Sequence, residues 1–161
     1  AGELIKGCMD IEARHPAPFS VFIHGDFNIN NVIYNHQTQK VYFIDLHRSQ
    51  HADYVQDISV FLVSNFRLPA FDPLSRGRIN QTIASFYAFA KSFAQAHDDP
   101  GFDIRLGLGV ARSFYTSTRF ELNRSFAHDM YNRGLFLMER LTEKTPEELA
   151  GFSFPLEILY Y

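Results

Sequence analysis

The sequence predicts an α+β fold, mainly α with a small β-hairpin unit, built as one domain over residues 1–161. Three observations predict it. Two short apolar runs rich in β-branched and aromatic residues, 31–34 and 40–46, flank the polar, turn-like stretch Asn35-His36-Gln37-Thr38-Gln39. Beyond Asp53 the apolar period becomes that of a helix and stays so. A chain of 161 residues, 46% hydrophobic and with 17 phenylalanines, is long enough to fill one core.

Residues 3–14 read as a helix that ends before His15-Pro16-Ala17-Pro18, because each proline disfavours helical backbone at the residue before it. A short strand follows from Phe19 to Ile23, and then the hairpin. Val55, Ile58, Phe61 and Leu62 keep helical spacing, as do Ile79, Ile83, Phe86, Ala90 and Phe93. Another helix places Ile104, Leu108, Ala111, Tyr115, Thr118 and Leu122 on one face, with Asp103 as its expected N-cap. A last helix runs from about Asp129 to Leu141. The aromatic pairs Phe86-Tyr87 and Phe114-Tyr115 fit core packing. Cys8, the single cysteine, has no second thiol for a disulfide or a metal pair and suits the packed face of the first helix.

Net charge −3 and pI near 6.2 provide no basic field for nucleic acid, and the Lys and Arg residues are scattered. No apolar run approaches the roughly eighteen residues that span a bilayer, and the charged opening is no signal-peptide core. A cytoplasmic chain without membrane or nucleic-acid partners is expected.

The chemistry is concentrated at residues 24–57. The run "FIHGDFNINNVIY" stops being apolar at His24-Gly25-Asp26, passes three asparagines and turns apolar again, as a loop held between two strands would. Phosphoryl transfer asks a protein for positioning and charge neutralisation: one carboxylate at the acceptor hydroxyl, and oxygen ligands for Mg²⁺ on the phosphates. Asp26 and Asn31 stand on one loop, and Asp45 closes the strand Val41-Tyr42-Phe43-Ile44, which pairs back beside Asn31 and brings Asp45 towards Asp26. Asn28 and Asn30 read as turn formers, and Asp53 as a cap for the helix near Val55. His47, Arg48 and His51 follow Asp45, where they suit either phosphate or acceptor contact or plain solvation; Arg48 is the foremost of them.

His24-Gly25-Asp26 with Asn31, then Ile44-Asp45, then Asp53 and Asp57 opening a helix, resembles the catalytic region of the aminoglycoside phosphotransferase and choline kinase family, which has a protein-kinase-like fold. The resemblance implies an ATP- and Mg²⁺-dependent phosphotransferase acting on a small-molecule hydroxyl. It implies Asp26 as catalytic base, Asn31 and Asp45 as Mg²⁺ ligands, His24 as a loop-shaping residue, and Asp57 as a buried acceptor for catalytic-loop N–H groups. Gly25 stands where protein kinases carry the arginine that pairs with a phosphorylated loop, and Asp45 is followed by Leu46-His47 rather than Phe-Gly, so a small-molecule acceptor fits better than a protein.

Only 23 residues precede His24, with neither a glycine-rich loop nor a strand lysine among them. The resemblance therefore implies a C-terminal catalytic lobe without its nucleotide lobe, inactive by itself and able to self-associate through the face that lobe would cover. Two alternatives stand beside it. One is a catalytically inactive kinase-like interaction domain. The other is a metallophosphoesterase, against which the order of motifs argues: Asp45-Leu46-His47 follows the Gly-Asp segment, and no Gly-Asn-His is present. Residues 66–140 carry ten Arg or Lys against seven Asp or Glu, which suits a neutral or anionic acceptor better than a polycation. Arg105, Arg112 and Arg119 recur every seven residues as one stripe, better explained by pairing with neighbouring carboxylates than by an anion site.

Overall fold

The computed structural model describes residues 2–161. Helix α1 (Gly2–Arg14) leads through the proline segment to β1 (Val21–Ile23). A 3-10 turn at Ile29–Asn31 precedes the hairpin β2 (Val32–Asn35) and β3 (Lys40–Phe43). A second 3-10 turn, Leu46–Arg48, leads into β4 (Gln50–Ala52). Five helices follow: α2 (Val55–Phe66), α3 (Pro73–Ala96), α4 (Phe102–Ser117), α5 (Arg124–Thr142) and the short α6 (Pro146–Ala150).

The strands make two separate two-stranded antiparallel sheets, β1 with β4 and β2 with β3. Val21 lies opposite Ala52, and Val32 opposite Phe43. The hairpin forms in the expected place, whereas β4 had no apolar alternation to signal it. It closes the loop of residues 24–49 at its base, so both ends of the candidate site are tied to one small sheet.

The core lies between α2, α4 and α5. Leu62, Phe66, Leu106, Phe114, Met130, Leu137 and Leu141 are fully buried in it, at about 1.5–3 kcal/mol for each such side chain. Helices α2 and α4 run in the same direction. Asp53 meets Arg105 at 2.7 Å, Ser59 packs on Gly109, and the rings of Phe66 and Phe114 cross at 5.2 Å between centroids. A Cβ on Gly109 would come within 2.9 Å of Ser59, so that glycine sets how closely the two helices approach.

Two expectations fail in α4. Gly101, not Asp103, occupies the N-cap position. Asp103 lies buried in the first turn, where it accepts from the Tyr87 hydroxyl at 3.3 Å and pairs with Lys91. Burial first, and then the Asp103 charge, push the Tyr87 hydroxyl up to about 12. The apolar face also stops short: the helix ends at Ser117, passes through a 3-10 turn at Thr118–Phe120, and leaves Leu122 96% exposed. Asn123 then accepts from Phe126 N and starts α5 earlier than the spacing predicts. Phe114 is buried as expected, while its neighbour Tyr115 reaches the surface. Among the described residues no helix is long and apolar enough to cross a membrane.

Candidate active site

The loop carrying His24, Gly25 and Asp26 is held by its backbone. Asp57, in the first turn of α2, accepts from His24 N at 2.7 Å and Gly25 N at 2.9 Å, one carboxylate oxygen to each. It is half-buried rather than fully buried. The carbonyls are held too: Ser49 Oγ donates to His24 O at 3.2 Å and Gln56 Nε2 to Gly25 O at 3.3 Å. Gly25 has φ +83°, and a Cβ there would fall 2.2 Å from Arg48 O, so only glycine fits.

His24 joins this loop to the hairpin. Its Nδ1 accepts from Asp26 N at 3.3 Å, which leaves Nε2–H to donate to Ile44 O at 2.8 Å. Ile44 N donates to Asn31 O at 3.1 Å. The segment before Asp45 is thus fastened to both His24 and Asn31. Asn31 is buried, and its Nδ2 donates to Asp26 O at 2.9 Å. Its Oδ1 takes no hydrogen bond from the described residues, so an oxygen remains for a cation.

Asp26 accepts from Asn28 Nδ2 at 3.2 Å on one carboxylate oxygen, with Arg48 Nη1 at 3.6 Å from the other. Arg48 is 61% exposed, and an ion pair in water at that distance holds little energy. Asp45 has left-handed backbone, φ 62° and ψ 50°, and one of its oxygens accepts from His47 Nδ1 at 2.6 Å. His51 lies in β4 and packs on the ring of Phe22, its cross-strand partner in β1. Asn30 caps nothing, while Asn28 starts the 3-10 turn by accepting from Asn30 N at 3.0 Å.

The donors suit Mg²⁺, which prefers hard oxygen ligands and takes part of its shell from substrate phosphates. Asn31 Oδ1 and the free oxygen of Asp45 are such ligands. No cluster of three or more His, Cys, Asp or Glu side chains able to hold a metal occurs among the described residues, which sets this site apart from an all-protein metal cage.

Asp26 opens onto a groove of about 960 Å³ between the loop, α2, α4 and the end of α1. Beside the loop, Arg105 is clamped: its guanidinium donates to Asp99 at 3.0 and 2.6 Å and to Asp53 at 2.7 Å. Asp53 also accepts from Val55 N at 3.0 Å, in the manner of a cap. The Asp99 and Arg105 side chains are 0% and 5% exposed. Burial raises the Asp99 carboxyl, but hydrogen bonds from Arg105 and Tyr54 and the Arg105 charge outweigh it and hold it below the usual range.

Sequence reasoning missed Ser49, Gln56 and Ser64. Ser64 Oγ accepts from Ile29 N at 2.9 Å, which pins the far side of the loop to α2. It stands seven residues after Asp57, on the same helix face, and that spacing was the available signal.

The braced loop thus carries the Asp26 carboxylate, with Asn31 tied to the Asp26 backbone and the segment before Asp45 fastened to both His24 and Asn31. Residues 2–73 match the model of the ecdysteroid kinase-like family, a family within the protein-kinase-like superfamily. The chain is therefore similar to kinase-like small-molecule phosphotransferases, and the aminoglycoside phosphotransferase and choline kinase grouping stays a likeness of motifs. No curated protein and no solved structure matches the chain.

Proposed function

We propose that this chain forms the acceptor and metal side of an ATP- and Mg²⁺-dependent phosphotransferase that acts on a hydroxyl of a small molecule. The observation that carries the reading is the joining of Asp26, Asn31 and the Ile44-Asp45 strand end in one hydrogen-bonded loop, braced by Asp57 and open to the groove.

In this reading the acceptor hydroxyl sits against the Asp26 carboxylate. Its oxygen bonds to the γ-phosphorus as the bond from that phosphorus to the departing ADP oxygen breaks, and Asp26 takes the proton. Asn28 fixes the orientation of the carboxylate through its 3.2 Å bond. Asn31 and Asp45 would hold the metal, which would offset charge on the phosphates. His24, Asp57, Ser49 and Gln56 keep the loop in place without touching substrate, while Arg48 and His47 lie within reach of phosphate or acceptor. The nucleotide's clamp, a phosphate-covering loop and a strand lysine, comes from outside residues 1–161.

The test is ATP-dependent phosphorylation of a panel of small hydroxyl compounds. Residues 1–161 alone give no phosphorylated acceptor; joined to a nucleotide-clamping lobe they do. Asp26→Asn in the active form lowers turnover about 10²–10⁴-fold with nucleotide affinity unchanged. Near-normal turnover in that variant would remove Asp26 from the mechanism.

A further inference from the structure

The groove that Asp26 faces has more cationic than anionic lining, although the whole chain is net negative at −3. Three of the five lining arginines are paired. Arg105 is held by Asp53 and Asp99, Arg112 donates to both oxygens of Glu12 at 2.6 and 2.7 Å, and Arg48 lies by Asp26. Two arginines of the lining, Arg67 and Arg119, form no ion pair with a carboxylate of the described residues.

These two stand at one end of the groove. Because α2 and α4 run in the same direction, Arg67 at the end of α2 and Arg119 just past the end of α4 come out together. Helix C-termini draw cations, which is reason enough for an arginine there. It does not explain why the Arg67 Nε is buried without a hydrogen-bond partner, since a buried donor left unpaired costs about 1–3 kcal/mol. The Nη atoms of Arg67 make no hydrogen bond to the described residues and are not enclosed, so they, rather than the buried Nε, can meet an incoming acceptor atom from the groove.

The distance to Asp26 follows from the loop's anchors. Gly25 N is tied to Asp57 and Ile29 N to Ser64, so Asp26 lies along α2 between those two levels. Arg67 is three to ten residues farther on, about 5–15 Å at 1.5 Å per residue.

We propose, resting on the phosphotransferase reading, that the acceptor is an anionic hydroxylated molecule: its hydroxyl meets Asp26, and a carboxylate or phosphate at its other end is received by Arg67 and Arg119. Guanidinium groups suit this because they present planar, charge-assisted donors to either anion. The stripe of Arg105, Arg112 and Arg119 is therefore divided: the first two pair with carboxylates, and Arg119, with Arg67 in place of its stripe-mates, forms the anion end.

The experiment is a titration of the full chain, without nucleotide, by inorganic phosphate, gluconate, glucose 6-phosphate and glucose, followed at the arginine Nε–Hε resonances. The three anions shift Arg67 and saturate, and glucose does not; a response to phosphate but not gluconate assigns the end to phosphate esters. Arg67→Gln and Arg119→Gln each weaken binding about tenfold or more, while Arg67→Lys, which keeps the charge, loses less and melts like the parent. Anion binding that is absent, or that survives both glutamine substitutions, overturns the proposal. Because no ATP is present, the outcome is independent of catalysis: anion binding by the chain with no transfer by the form joined to a nucleotide-clamping lobe overturns the phosphotransferase reading alone, and transfer by that form to neutral acceptors, unaffected by Arg67→Gln, overturns the anionic acceptor alone.

Discussion

Single side chains at this site do two kinds of work, and substitution separates them. Asp57 holds two backbone donors and does not itself line the groove, so Asp57→Ala strands His24 N and Gly25 N. The expected loss is about 1–3 kcal/mol, read as a lower melting temperature with the helical circular dichroism intact. Gly25→Ala is the sharper case, because the new methyl meets a carbonyl oxygen and the backbone is left-handed. A penalty of about 2 kcal/mol or more is expected, again read by thermal melting, and a variant that melts like the parent would show that the Leu46–Arg48 turn yields easily. Asp45→Ala is the contrasting substitution: half-exposed and bound only to His47, it should cost no more than about 1 kcal/mol, from its left-handed backbone, and abolish Mg²⁺-dependent nucleotide binding in the active form.

Between elements, the tie that matters most is Arg105 of α4, gripped by Asp99 before that helix and by Asp53 before α2. The folded-state value of Asp99 lies below its ordinary 3.8, so its contribution is complete above that pH and is lost as pH falls through the folded value. Asp99→Asn therefore lowers the melting temperature at neutral pH, by the equivalent of about 3 kcal/mol, and flattens the loss of stability below about pH 4. An acid limb as steep as the parent's would place the titrating group elsewhere. The helices were legible because Val55, Ile58, Leu62 and Ile83 repeat at helical spacing and are buried. Strand β4 was not, since Gln50-His51-Ala52 has no apolar alternation and exists only because β1 offers it an edge. The overrun to Leu122 has the same origin: periodicity shows which face a residue would take and not where the backbone stops turning. At the site, the ordered aspartates were legible as a motif, whereas Arg67 was not. Its meaning depends on α2 and α4 running side by side, which no local pattern encodes.

The whole molecule leaves one surface conspicuously bare. On the β2–β3 hairpin, Ile33, Tyr34, Val41, Tyr42, Phe43 and Ile44 are 42–52% exposed and divide between the two faces of the strands, and apolar surface of that extent favours being covered. Sedimentation of the 161-residue chain should show mass rising with concentration, and Tyr42→Lys should suppress it; a monomer at every concentration would mean that the hairpin is tolerated in water as it stands. The packed backbone beside Gly25 reaches further, into descent. Where protein kinases carry an arginine that reads a phosphorylated loop, this chain has no room even for a methyl group. No single codon change can install that arginine without rebuilding the neighbouring turn. A lineage with this loop therefore has no short mutational route to an arginine at this position.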